Sequence, residues 1–168
     1  MSFSDRRAFL LGAAGFALAG CGFSPLYGEG EPAREVLGRV DVGLIEGEPG
    51  FEMRRRLVER LGYPESPTHR LEVDLELRRA GVALTDENVT TRFNIVGEAD
   101  YVLVPLNGGD PVRFDSVIST TGFSAPDSST SVAFAVQSAQ RDAERRVAVT
   151  LADQIALRLA VSAGEWGV

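Results

Sequence analysis

Of the residue types that do covalent or acid–base chemistry, two occur only once each in this sequence: Cys21 and His69. A thiolate is both a nucleophile and a metal ligand. A lone cysteine, however, closes no intrachain disulfide and builds no thiolate metal site. One imidazole without cysteine partners gives zinc too few ligands, so no metal ligand is assigned. A Ser-His-Asp arrangement would have to be built around His69, with Asp127, Ser128 and Ser129 carried to it from a distant loop. No spacing in the sequence does that. His69, just after Pro67, reads as an exposed loop residue. No catalytic residue is assigned, and the chain reads as a non-enzyme. What remains is the chemistry of Cys21, and the residues ahead of it decide what that is.

An apolar run of 13 residues, from Ala8 to Gly20, precedes the cysteine. It is too short to span a bilayer, which takes about 20 residues of helix. Arg6 and Arg7 stand before it and small residues end it, the layout of a cleavable export signal. The quartet Leu18-Ala19-Gly20-Cys21 resembles a bacterial lipobox. That resemblance implies a diacylglycerol on the Cys21 sulfur, cleavage before Cys21 and an N-acyl chain on the new amine. These covalent lipids are the only prosthetic groups expected. One acyl chain holds a protein marginally at a membrane, and two or more hold it stably. Gly22 rather than Asp after the cysteine favours the outer membrane among lipoproteins of this kind. Asp5-Arg6-Arg7-Ala8-Phe9-Leu10 also resembles a twin-arginine export motif, which leaves the export route open.

Removing residues 1–20 takes away Asp5, Arg6 and Arg7 and leaves 148 residues with 23 acids and 15 arginines, a formal net charge of −8. That length suits one domain with a real core. The acidic balance argues against nucleic acid, which calls for a basic face. Lysine is absent, so every cation is an arginine. No second apolar span is legible in the mature chain.

Residues 22–32 hold three Gly and two Pro and read as a tether, with Phe23, Leu26 and Tyr27 free to dock on the body or the membrane interface. Val40, Val42 and Leu44 alternate, predicting a strand over 39–45. Glu48-Pro49-Gly50 reads as a turn. Met53, Leu57, Val58 and Leu61 at helical spacing predict a helix over 51–61, with Arg54, Arg55 and Arg56 as general solvation. Residues 71–78 alternate four apolar side chains with Glu72, Asp74, Glu76 and Arg78, the pattern of a sheet covered on one face. After a turn at Thr85-Asp86-Glu87-Asn88, Phe93, Ile95, Ala99, Tyr101 and Leu103 share one register. Asn107-Gly108-Gly109-Asp110 is a hairpin signal, and Val112, Phe114 and Ile118 predict the next inward face. A polar loop over 125–131 leads to a helix over 132–162. Its inner stripe is Ala139, Ala143, Val147, Ala148, Leu151, Ala152, Ile155 and Leu159, and Arg141, Glu144, Arg145 and Asp153 lie opposite.

The expected fold is α+β: a two-layer sandwich in the order β-α-β-β-β-α, with a four-stranded, mostly antiparallel sheet covered on one face by two helices. The expected organisation is a lipoprotein signal peptide over 1–20, a lipidated tether over 21–32 and a single domain over 33–168.

These pieces resemble the LPS-assembly lipoprotein family (LptE-like). The residues that carry the likeness are the start Gly20-Cys21-Gly22-Phe23-Ser24-Pro25-Leu26-Tyr27-Gly28, the Arg-rich helix over 51–61, and Ala139-Gln140-Arg141-Asp142-Ala143-Glu144-Arg145-Arg146 before Leu151-Ala152. The resemblance implies a non-catalytic lipoprotein of the outer membrane, anchored on its periplasmic side. It would associate with and plug the β-barrel LPS translocon, assisting barrel assembly and LPS delivery. The implied partners are that barrel and lipopolysaccharide. A barrel lumen is polar, which the face of Glu72, Asp74, Glu76 and Arg78 would suit. Lipid A phosphates call for cations, and Arg78, Arg79 and Arg92 form the densest local cluster. The family's Lys contacts with LPS have no counterpart in a chain without lysine. The alternative is an auxiliary lipoprotein of an envelope ABC-type lipid-transport complex.

Replacing Cys21 by Ala removes the thioether and the acylated amine together. The variant is expected to leave the membrane pellet or to persist as uncleaved precursor. A correctly cut Cys21→Ala chain that stays in the pellet after a carbonate wash would rule out lipid attachment there.

Overall fold

The computed structural model describes residues 37–84, 90–124 and 130–166, with side chains over 37–81, 92–124 and 133–166. The element order is β1 (Val40–Val42), α1 (Gly47–Leu61), β2 (His69–Leu84), β3 (Thr90–Pro105), β4 (Arg113–Ser124) and α2 (Thr130–Trp166). The four strands make one sheet in sequence order. β1 runs parallel to β2, and the other two pairings are antiparallel. Both helices lie on one face, as the alternation along β2 requires. α2 packs over β3 and β4, and α1 packs beside it next to β1. The 37 residues of α2 and the 16 of β2 and of β3 give nearly equal lengths of roughly 50–55 Å at their usual rises. The long helix therefore fits the long hairpin end to end.

The core lies between helix stripe and sheet. Ala143, Val147, Ala148, Leu151, Ala152, Ile155 and Leu159 of α2 are buried. They face Ile95, Ala99, Tyr101 and Leu103 of β3, buried as their shared register predicts. By length and composition the apolar part of α2 could cross a membrane. Its stripe is instead buried against the sheet and α1. At the centre, β3 carries Gly97. A Cβ there would overlap Val147 Cγ1 and sit 2.8 Å from Leu77 Cδ2 and 3.0 Å from Leu151 Cδ1. The missing side chain is what lets α2 come down onto β3. The hairpin signal also holds: Gly108 and Gly109 take φ of 90° and 125°, where a Cβ would be strained.

Several expectations shift. Leu44 is 87% exposed and Ile45 is buried instead, because β1 ends at Val42 and the chain turns out of the strand register. Glu48-Pro49-Gly50 is the first turn of α1 rather than a separate turn. Pro49 is tolerated there because first-turn N–H groups have no helical partner. α2 runs through Gly164 to Trp166, four residues past its expected end. The inward face of β4 is the opposite of the one predicted: Val117 and Phe123 are buried, whereas Phe114 and Ile118 are 71% and 59% exposed. The pairing of Leu103 with Arg113 fixes that register, and a one-residue slip would exchange the two faces. The turn at 85–88 and the loop at 125–129 fall outside the described residues.

Polar clamps hold the layers in register. Asp153 of α2 accepts from Arg56 Nε at 2.9 Å and Arg60 Nε at 2.7 Å of α1. Burial works against its charge, but these hydrogen bonds outweigh it and hold the carboxyl below its usual range. Neither Arg56 nor Asp153 is therefore mere solvation. Arg54 Nε donates to Val42 O and Gly43 O at 3.1 Å. Across the sheet, Arg158 Nη1 donates to Ser116 O at 2.8 Å and Arg146 Nη2 to Gly122 O at 3.4 Å. Helix-borne arginines thus cap backbone carbonyls of β1 and β4, the two edge strands. Asp115 collects Ser116 N–H at 2.9 Å, Arg158 Nη1 at 2.8 Å and Arg113 Nη2 at 3.4 Å. The Ser116 N–H, followed by the Arg158 guanidinium, holds this carboxyl below its usual range.

Gly97→Ala is expected to cost about 1–3 kcal/mol by overpacking, read as a lower urea midpoint. Adding Val147→Ala should recover part of the loss, because the stiff valine methyl is the first obstruction. Asp115 yields a pH test. A carboxyl with a depressed folded pKa contributes stability above its unfolded pKa, and that contribution is lost as pH falls through the folded value. Asp115→Asn should therefore destabilise at neutral pH. The gap to the parent, measured by urea melts across pH, should narrow below about pH 4.

Candidate functional site

The three arginines assigned to phosphate sit where β2 and β3 approach their connecting turn, and the two-residue period of the strand separates them. Arg78 lies on the sheet face away from the helices, exposed, with Nη2 donating to Glu98 Oε2 at 3.0 Å. Arg79, one residue on, points to the helix side. Its Nη1 donates to Gln140 Oε1 at 3.0 Å, and its guanidinium lies 5.0 Å from the centre of the Phe93 ring. Phe93 in turn stacks on Phe123 at 5.5 Å. Arg92 is exposed and pairs in register with Ala83. By alternation it shares the open face with Asn94, Val96 and Glu98, so it is on the side of Arg78. The structure thus brings Arg78 and Arg92 to one face, about four strand residues or roughly 13 Å apart, and places Arg79 on the other.

The open face is acidic at its middle. Glu72, Asp74 and Glu76 are exposed. The register sets Asp74 opposite Asp100 and Glu76 opposite Glu98, like-charge pairs that oppose strand pairing. The face is not wholly polar, however, because Phe114 and Ile118 of β4 project from it too. Alternation in β2 located its carboxylates; the apolar half was missed because the β4 register was read in reverse.

At the far end of the sandwich His69 begins β2 and is half-buried, not an exposed loop residue. The ring of Trp166, the last described residue of α2, meets it edge-on at 5.5 Å. Burial lowers its pKa, and Nδ1 lies 3.0 Å from Thr68 Oγ1. Trp166 Nε1 donates to Ser162 Oγ at 3.0 Å, so the end of α2 is tied down. No signal in the sequence joined residues 69 and 166. Among the described residues no group of three or more His, Cys, Asp or Glu is placed to hold a metal ion. Asp127, Ser128, Ser129 and Cys21 lie outside the described residues.

This arrangement is one of surfaces: a cation–aromatic end, an acidic open face and a helical layer. The fold recurs in solved structures. A chain assigned as a lipoprotein from Caulobacter crescentus is 20% identical, with 79% of this chain and 96% of that one covered and a TM-score of 0.63. The rare lipoprotein B from Shewanella oneidensis is 12% identical, covering 73% and 94% with a TM-score of 0.53. A minor lipoprotein from Acinetobacter baumannii is 12% identical, covering 76% and 93%, also at 0.53. Among curated proteins no sequence matches the chain. The profile of the family described as LptE, lipopolysaccharide-assembly, matches residues 37–159, from just ahead of β1 into the last turns of α2. With most of the chain inside that match, this protein belongs to the LptE lipopolysaccharide-assembly family, and lipopolysaccharide assembly is its function in outline.

Proposed function

We propose that the domain is a non-catalytic, lipid-anchored partner of the outer-membrane LPS translocon barrel, seated in the barrel from the periplasmic side and assisting its assembly and LPS delivery. The observation that carries this reading is the family match over 37–159. Physical support comes from the surfaces. A body covered by ion pairs and strand carboxylates suits a polar lumen. A lipid anchor at Cys21 would raise its local concentration at the membrane, favouring a second contact there.

Within this reading Arg78 and Arg92 on the open face, with Arg79 around the edge of the same end, are the phosphate-binding cations. Arginine matches phosphate oxygens two at a time. Arg78 is paired only at the surface with Glu98, an interaction of small worth, so it can exchange partners.

Pull-down of the tagged chain from detergent-solubilised outer membrane is expected to recover the barrel. Depletion of the chain should lower the folded barrel and let large hydrophobic antibiotics through. Reversing Arg78, Arg79 and Arg92 to Glu together should weaken LPS capture while barrel recovery persists. Recovery of an ABC-type lipid-transport complex, with barrel and surface LPS unchanged on depletion, would overturn the proposal.

A further inference from the structure

The sheet has a stretch of edge that no described strand pairs. β1 meets β2 over His69–Leu71 only, whereas β2 runs on to Leu84. Leu71 O accepts from Gly43 N–H at 2.9 Å. The odd-numbered residues of β2 therefore turn their N–H and C=O toward the β1 side, and the even-numbered ones toward β3. Beyond Leu71 the β1 side carries the backbone groups of Val73, Leu75, Leu77 and Arg79, and no described strand lies along it. The chain turns away after β1, leaving a groove of about 710 Å³ between Leu44 and β2. The β4 edge differs, with arginines on Ser116 O and Gly122 O.

We propose that this edge of β2, over residues 73–79, takes an extended segment of a partner protein as a fifth strand, and that the segment alternates apolar with basic residues. This goes beyond the proposed function and does not rest on it. Residues 73–79 make six residue steps, roughly 20 Å of strand, an ordinary strand length. The side chains flanking that backbone set the chemistry. On the helix side Val73, Leu75 and Leu77 pack on the core yet stay half-buried at the border of the sheet. Apolar neighbours on an added strand would complete their burial. On the open side Glu72, Asp74 and Glu76 are exposed, and the register already sets Asp74 and Glu76 against Asp100 and Glu98 of β3. Cations on an added strand would stand beside these carboxylates from the other flank and offset that repulsion.

The same charges exclude the nearer occupants. A second copy pairing through its own β2 would bring carboxylates against carboxylates at the centre of the contact. Its β4 edge is already occupied by arginines. The stretch ahead of β1 holds Glu29, Glu31 and Glu35 against Arg34, with Pro25 and Pro32, the wrong sign and the wrong residues for this strand. Every strand in a closed barrel wall is paired on both sides, so the donor is a segment left unpaired in its own protein. In strand addition the main-chain hydrogen bonds supply affinity and the alternating side chains supply selection. Here the selection is for positive charge on one face and apolar bulk on the other.

The test uses the full mature chain in micelles of an uncharged detergent, with two synthetic peptides as probes, one alternating Arg with Val and the other Glu with Val. Amide exchange is read residue by residue by NMR. The Arg/Val peptide should slow exchange at Val73, Leu75 and Leu77 several-fold, and the Glu/Val peptide should leave it unchanged. Reversing Glu72, Asp74 and Glu76 to Lys together should interchange the effects of the two peptides. Leu75→Pro removes an N–H that β3 does not use, so the sheet should persist while the protection is lost. An Arg/Val peptide that fails to slow these three amides, whether or not it binds elsewhere, overturns the proposal. A Glu/Val peptide that slows them equally does the same. So does slow exchange there before any peptide is added, which gives the edge to a second copy if sedimentation shows a dimer and to the chain's own residues if it shows a monomer. Recovery of the barrel is independent of all these outcomes, so the proposed function stands or falls separately.

Discussion

The close approach of α2 to β3 at Gly97 is the constraint on which the rest of the domain depends. Val147, Leu151 and Leu77 converge on the space that a side chain would fill. That contact sets the distance between the layers, and the distance decides which residues are core. It lets Ile95, Ala99, Tyr101 and Leu103 disappear under a helix whose facing stripe is largely alanine and leucine. Small residues on the helix and none on the strand make one compromise, close packing at the cost of side-chain volume. α1 is then fixed relative to α2 by the shared carboxylate of Asp153.

Periodicity carried the sequence reading where one face was plainly apolar and failed where both faces were mixed. β2, β3 and the α2 stripe were legible because burial imposes period two or 3.6 on them. β4 was not. Its inner face carries Arg113 and Asp115, made acceptable by Tyr101 and Arg158 from neighbouring elements, so counting apolar residues favoured the wrong side. The start of α1 was hidden by Pro49, which stops helices in general but not in their first turn. Of the candidate cluster, the sequence put Arg78 and Arg79 at the end of their strand, but β2 runs on to Leu84, so only Arg92, near the start of β3, stands close to the turn. The same period-two geometry that identified the strand divides the arginines between its faces. The pairing of Trp166 with His69 left no local trace, being a contact across nearly a hundred residues.

Arginine does several distinct jobs here. Arg56 and Arg60 join the helices, Arg113 and Arg158 satisfy Asp115 inside the sandwich, and Arg79 lies on an aromatic ring. Each uses a property that lysine lacks: planarity, several donors in a fixed fork, or weak hydration. Arg78 and Arg92 are the ones turned outward at the β2–β3 end, and it is on that exposure, rather than on arginine content as such, that the proposed phosphate contact rests.

The carbonyl caps by Arg54 on β1, and by Arg146 and Arg158 on β4, bear on how any partner can recognise this protein. A bare sheet edge is read by backbone alone, so almost any extended peptide of almost any sequence can add a strand to it. With guanidinium groups already on Val42, Ser116 and Gly122, that promiscuous mode is obstructed at those carbonyls of β1 and β4, although β1 pairs with β2 only over His69–Leu71. Where the edge is capped, recognition has to go through side chains, whose identity can be matched and selected; along β2 beyond Leu71 the backbone itself remains available to an added strand.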